Sequence, residues 1–156
     1  IYTMNFRLVS TLILTFITFS NVQANDSFSI ENAWIREAPP TISTLAGFMT
    51  LHNHSDQALI VESFTSPDFK QIELHKTAID NGVAKMQKQG PISVPANQSL
   101  TLEPGGFHLM LIDAIRPLKV DDTTLVTIHY NGHKQTMTFS VKKTTGTPPS
   151  HHHHHN

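Results

Sequence analysis

The chain has 156 residues, a formal net charge of −1 and no cysteine. That length suits one domain with a real hydrophobic core, and the near-neutral balance without a Lys/Arg cluster argues against a nucleic-acid partner. The missing cysteine excludes disulfide staples and any thiolate metal site.

The first predicted element is a targeting segment. Asn5, Phe6 and Arg7 follow Met4, an apolar run covers 8–19, and Val22-Gln23-Ala24 precede Asn25. A positive start, an apolar stretch of roughly 12 residues and a small-residue exit read as a secretory signal cleaved near Ala24. The stretch falls short of the ~20 residues of a spanning helix, so no membrane span is expected after cleavage. Residues 1–3 read as an upstream extension.

From 25 to 141 the chain reads as one β domain of short alternating strands between turn residues. Phe28, Ile30 and Trp34-Ile35 open it, and Pro39-Pro40 end the first strand. A largely apolar strand over 45–51 and another over 59–64 follow, the latter closed by Ser66-Pro67-Asp68. One helical turn is expected near 67–71. Strands are then expected over 72–78 and 83–88 around Asp80-Asn81-Gly82, and over 92–94 and 100–102 before Pro104-Gly105-Gly106. The series ends with 107–112, 125–130, the turn Asn131-Gly132 and 136–141. About nine strands at this spacing argue an all-β sandwich or small Greek-key barrel. Residues 142–156 form a Thr/Gly/Pro-rich tail with nothing to bury, expected to be flexible, ending in His151 to His155 and Asn156.

Four residues carry the candidate chemistry: His75, Met86, His108 and Met110, separated by ten, twenty-one and one residues. Two imidazoles and two thioethers form a soft, neutral ligand set that suits Cu(I) better than zinc, calcium or magnesium. In an oxidising compartment a thioether also escapes capture in a disulfide. His108-Leu109-Met110-Leu111 alternates, which puts His108 and Met110 on one strand face and the leucines on the other. An ordinary half-buried strand reads the same way. Asn81-Gly82 is the signature of a two-residue type I′ turn, which pairs His75 with Lys88. His75 and Met86 then become same-face diagonal neighbours, roughly 7–8 Å apart at the backbone. A three-residue loop would throw Met86 to the opposite face. Met49 and Met137 read as core methionines, and His52, His54, His129 and His133 as solvated or hydrogen-bonded surface groups.

The spacing His-x10-Met-x21-His-x-Met resembles the signature of the PCu(A)C family of periplasmic copper chaperones. Further blocks are similar to that family: Ala33-Trp34-Ile35-Arg36-Glu37-Ala38-Pro39-Pro40, Glu73-Leu74-His75, and Pro104-Gly105-Gly106-Phe107-His108-Leu109-Met110-Leu111. The resemblance runs from about residue 28 to residue 141. It implies a cupredoxin-like Greek-key β-barrel binding one Cu(I) near its surface through His75, Met86, His108 and Met110. It also implies a periplasmic, non-enzymatic carrier, taken as a monomer. Its partner would be a copper-accepting protein such as a cytochrome c oxidase subunit or another copper chaperone. Many relatives carry a further methionine where this chain has Thr77, a departure that bears on affinity or transfer. Some relatives take up Cu(II) on His- and Met-rich extensions, and the pentahistidine here is the corresponding candidate; an expression tag is the other reading of it.

Rival functions meet specific objections. A blue-copper electron carrier needs a cysteine thiolate. An enzyme would need a nucleophile elbow, a phosphate loop or paired carboxylates, and no such pattern is present. An adhesion sandwich would bind no metal through its β domain. Zinc binding or delivery, through the histidines and the His-rich tail, is the nearest alternative, although zinc seldom accepts thioether ligands.

Overall fold

The computed structural model describes residues 27–144. The targeting segment and the pentahistidine read from the sequence lie outside the described residues. Among the described residues no helix is long and apolar enough to cross a membrane.

Ten strands make up the domain: β1 Phe28–Arg36, β2 Leu45–Asn53, β3 Leu59–Thr65, β4 Phe69–Asp80, β5 Val83–Lys88, β6 Ile92–Val94, β7 Ser99–Leu102, β8 Phe107–Ala114, β9 Thr123–Tyr130 and β10 His133–Lys142. They form an all-β, cupredoxin-like Greek-key barrel that closes through β4, β8, β2, β1, β10, β9 and β3 back to β4. Closure removes the open edges that a flat sheet of this size would present. β5 extends the sheet beyond β4, and β6 extends it beyond β3. The first and last strands run parallel, with Ile35 beside Val141 and Arg36 beside Lys142.

Period-two alternation fills the barrel. Leu109 and Leu111 of β8 are fully buried, as are Ile35, Leu51, Val126, Ile128 and Phe139 from the strands around it. Met49 belongs to this core and Met137 packs against it, as their apolar flanks imply. Gly47 lies opposite Leu109, and a Cβ there would come within 2.8 Å of Leu111 Cδ1. Absence of a side chain on β2 is therefore what lets β8 sit close against it.

Both Asn-Gly turns behave as the sequence predicts. Asn81 and Gly82 have φ of 51° and 78°, and Asn131 and Gly132 have 45° and 73°, the paired left-handed conformations of a type I′ turn. The helical turn expected near 67–71 is absent. Ser66 Oγ instead accepts the Asp68 N–H at 3.2 Å, and β4 begins at once with the buried Phe69. Burial of Phe69 and Ile72 against the core outweighs the weak local turn preference. The barrel also takes in Lys142, one residue beyond the expected domain end, because Lys142 pairs with Arg36.

Candidate metal site

The site lies on the outer face of β5, β4, β8 and β2, and register alone assembles most of it. The turn pairs Asp80 with Val83 and His75 with Lys88, so the even register that keeps Met86 on the face of His75 is present. On the other side of β4, His75 lies directly across from His108, with ring centroids 5.9 Å apart. Met110 lies across from Glu73, one diagonal step from His75. The two thioethers thus flank the imidazole pair from opposite sides along the sheet.

The four side chains differ sharply in access. Met86 is 63% exposed, whereas His108 is 4% exposed, even though it points away from the barrel interior. Met110 is half-buried between β4 and β2, where its neighbours in register are Glu73 and Ala46. Met86 and His108 line a small cleft of about 90 Å³ together with Thr77, Phe48 and Arg36. Neither His75 nor Met110 lines that cleft.

Hydrogen bonding fixes which ring nitrogens are free. His75 Nε2 lies 2.8 Å from Glu73 Oε2. A carboxylate can only accept, so Nε2 carries the proton and the lone pair falls on Nδ1. His108 Nδ1 lies 3.2 Å from the Gly106 carbonyl oxygen, which puts its proton on Nδ1 and its lone pair on Nε2. His75 Nδ1 and His108 Nε2 are both buried and have no hydrogen-bond partner. Two orphaned acceptors on facing rings are costly for a fold to keep, since each forfeits its hydration without compensation. Imidazoles that ligate metals typically anchor their second N–H in this way, on a carboxylate or a carbonyl.

The supporting groups are specific to this sequence. Glu73 accepts hydrogen bonds from Lys88 Nζ at 2.5 Å and Gln71 Nε2 at 2.6 Å as well as from His75. The Lys88 ammonium, and then His75, hold the Glu73 carboxyl below the usual carboxylate range against the opposing effect of burial. Gly106 O also accepts the Thr77 N–H at 3.1 Å, so one carbonyl ties β4 to the His108 ring. The Pro104-Gly105-Gly106 block can aim that carbonyl because Gly105 adopts a φ of 85°, open to glycine at little cost. Sequence reasoning did not single out Glu73 as a supporting group. Its position two residues before His75 on a strand is the signal that places both on one face.

The other histidines among the described residues have surroundings of their own. His52 Nδ1 is 2.6 Å from Ser99 Oγ, His54 Nε2 is 2.8 Å from Ser29 Oγ, and His129 Nε2 is 3.0 Å from Thr65 Oγ1. His133 is exposed beside the Tyr130 ring. Among the described residues no three His, Cys, Asp or Glu side chains converge as a metal-binding group.

Known proteins share this domain. The LpqE-like lipoprotein family matches residues 28–142. The protein Lxx21020 of Leifsonia xyli subsp. xyli is 30% identical over 107 residues, 68% of this chain and 63% of its own length. The chain thus spans less than two thirds of the curated relatives it matches. Among solved structures, the Cu(I) form of DR1885 from Deinococcus radiodurans is 31% identical, with a TM-score of 0.63, covering 81% of this chain and 85% of that one. The copper-bound PCuAC domain of PmoF2 is 20% identical, with a TM-score of 0.64 and coverage of 76% and 94%, which bears on the fold alone.

Proposed function

The chain belongs to the LpqE-like, PCuAC family, and on that premise we propose that it is an exported copper carrier. It holds one Cu(I) through His75, Met86, His108 and Met110 and releases it by ligand exchange to a copper-accepting protein. The observation that carries this reading is a pair of buried, unpartnered nitrogens, His75 Nδ1 and His108 Nε2, on rings whose centroids lie 5.9 Å apart. Each has its second nitrogen anchored, on Glu73 and on Gly106 respectively. Neutral imidazole and thioether donors favour Cu(I) over harder ions and leave no uncompensated negative charge beneath the metal.

Access sets the order of exchange. Met86, exposed on the last strand of the sheet, leaves first and opens the metal to an incoming donor. The two histidines, fixed by Glu73 and Gly106, hold it until the new bond forms. A cytochrome c oxidase subunit or another copper chaperone is the recipient that this reading favours, in the periplasm, with the pentahistidine as a separate Cu(II) site. A zinc carrier would have to build its site without thioether, which zinc seldom accepts, and would draw on the histidines and carboxylates instead.

The test is an anaerobic Cu(I) titration of the chain against a competing chelator, in parallel with His75→Ala, His108→Ala and Met86→Leu. One tight Cu(I) equivalent, lost in the histidine variants and weakened in the methionine variant, supports the reading. Binding indifferent to Met86 and matched by zinc would replace it with the zinc alternative.

A further inference from the structure

The cleft lined by Met86 and His108 adjoins a second, larger one. Arg36 and Pro104 line both, and beyond them the floor is formed by Trp34 with Lys142 and Lys143 at the wall. A β-bulge creates this surface. Glu31 pairs with Thr50 and Trp34 with Phe48, so β1 carries one residue more than β2 between them, with Asn32 at a φ of 52°. The extra residue reverses the alternation, and Trp34 and Arg36 come out beside Phe48 while Ile35 goes in. The Trp34 and Phe48 rings pack with centroids 4.7 Å apart and a tilt of 36°, and the Arg36 guanidinium carbon sits 5.3 Å from the centre of the Phe48 ring.

The charge here is uncompensated. Arg36 and Lys142 are in-register neighbours on parallel strands and share a face, so two cations stand side by side. Lys143 follows at the same wall. Among the described residues no carboxylate forms an ion pair with any of the three, nor with Lys76, Lys119 or Lys134, whereas Lys70, Lys85, Lys88 and Arg116 have acidic partners. What sets this face apart is that its unpaired cations cluster. The Arg36 Nε is buried without a hydrogen-bond partner. On a chain of net charge −1 this cluster is a local feature, set directly beside the exposed copper ligand Met86.

We propose that this face docks an acidic segment of the protein that exchanges copper with the chain. Carboxylates of that segment sit on Arg36, Lys142 and Lys143, and its own thioether or imidazole reaches the metal past Met86. Tryptophan and arginine are the side chains that most often dominate such interfaces. Uncompensated cations at the rim steer an acidic partner and fix its orientation. The proposal rests on the copper reading for its partner, and its test separates the two.

Trp34 is the one tryptophan of the chain, so its indole N–H gives a unique resonance in the labelled apo protein. The probe is a synthetic peptide bearing one methionine and one histidine followed by a run of glutamates, compared with a twin in which glutamine replaces each glutamate. The glutamate peptide should shift the Trp34 resonance and bind about tenfold more tightly than its twin at low salt, with the advantage vanishing near 0.5 M salt. Lys142→Gln with Lys143→Gln, both exposed and safe for folding, should remove most of that advantage. Arg36→Gln should do the same, and Lys119→Gln with Lys134→Gln should not. Equal binding of both peptides, a salt-independent shift or indifference to the Lys142 and Lys143 changes would overturn the docking face. A chain that fails the Cu(I) titration yet answers the glutamate peptide keeps the docking face and loses the copper reading. Tight Cu(I) binding with a silent Trp34 gives the reverse.

Discussion

If His108 is kept for a metal rather than for the fold, replacing it with leucine should stabilise the apo protein. The wild-type ring buries Nε2 with no partner, a defect that costs about 1–3 kcal/mol. Against this stands the loss of the Nδ1–H bond to Gly106, worth about 1 kcal/mol at its length of 3.2 Å. Gly106 O is not stranded by the change, because the Thr77 N–H still donates to it at 3.1 Å. Leucine is close to histidine in volume and sits comfortably on a strand, so strain adds little. The balance favours His108→Leu by about 1 kcal/mol, a rise in Tm of roughly 4 °C for a domain of this size.

Copper should reverse the order. A ligand that binds only the native state adds about 4 kcal/mol when its free concentration is 1,000 times its Kd. The wild type gains that increment and the variant gains almost none. Urea unfolding under anaerobic conditions, with and without a Cu(I) buffer, reads both halves of the prediction on one pair of proteins. The variant should be the more stable without copper and the less stable by about 3 kcal/mol with it. A variant that loses more than about 1 kcal/mol without copper would show that the ring is a structural element whose Nε2 is in fact satisfied. A variant that keeps the copper-dependent gain would remove His108 from the ligand set.

Met86→Leu should change apo stability by less than about 0.5 kcal/mol, since the side chain is 63% exposed, while chelator competition shows Cu(I) affinity falling roughly tenfold or more. Thr77 faces Met86 across the hairpin and lines its cleft, so Thr77→Met should tighten Cu(I) and slow its release to a chelator in stopped flow. Asp68 accepts from Arg116 Nε and Nη2, both at 3.1 Å, and from Thr124 Oγ1 at 2.6 Å, and these bonds hold its carboxyl below the usual range. The resulting stability is complete above the unfolded carboxylate pKa and is lost as pH falls through the folded value. Asp68→Asn should therefore cost about 1 kcal/mol at pH 7 and flatten the loss of stability below about pH 4. Gly47→Ala should cost about 1–3 kcal/mol in urea unfolding, because Leu111 has no free space to yield.

Local chemistry explains which parts of this structure were legible in the sequence. Asn81-Gly82 and Asn131-Gly132 each specify one turn, and a turn fixes the register of the whole hairpin, so the pairing of His75 with Lys88 followed from two residues. Alternation similarly placed Leu109 and Leu111 in the core. The pairing of His75 with His108 could not be reached in that way, because β4 and β8 meet only through barrel closure. The surroundings of His108 have the same origin: Phe48, Arg36, Pro104 and Gly105, which line its cleft, all come from outside its own strand. The outward turn of Trp34 and Arg36 depended on a bulge with no glycine to announce it, only Asn32 at positive φ. The helical turn near 67–71 failed because Phe69 and Ile72 gain more from the core than Ser66-Pro67-Asp68 gain from a local coil.

On the proposed copper reading the carrier has two conflicting needs, and the arrangement of this face would answer them separately. Retention requires donors whose geometry does not relax when one bond is lost. His75 and His108 would meet that need, because one nitrogen of each ring is held by a hydrogen bond, to Glu73 and to Gly106 respectively. Release requires a donor that can leave without disturbing the fold, and Met86 meets it on a strand whose six residues are all exposed and which pairs with β4 alone. Reversing these exposures would leave a rigid thioether beneath mobile imidazoles. Such a site would surrender its stronger donors first and drop the metal before a partner had taken hold. The contrast between buried His108 and exposed Met86 is thus the feature that would turn a soft ligand set into a directional one.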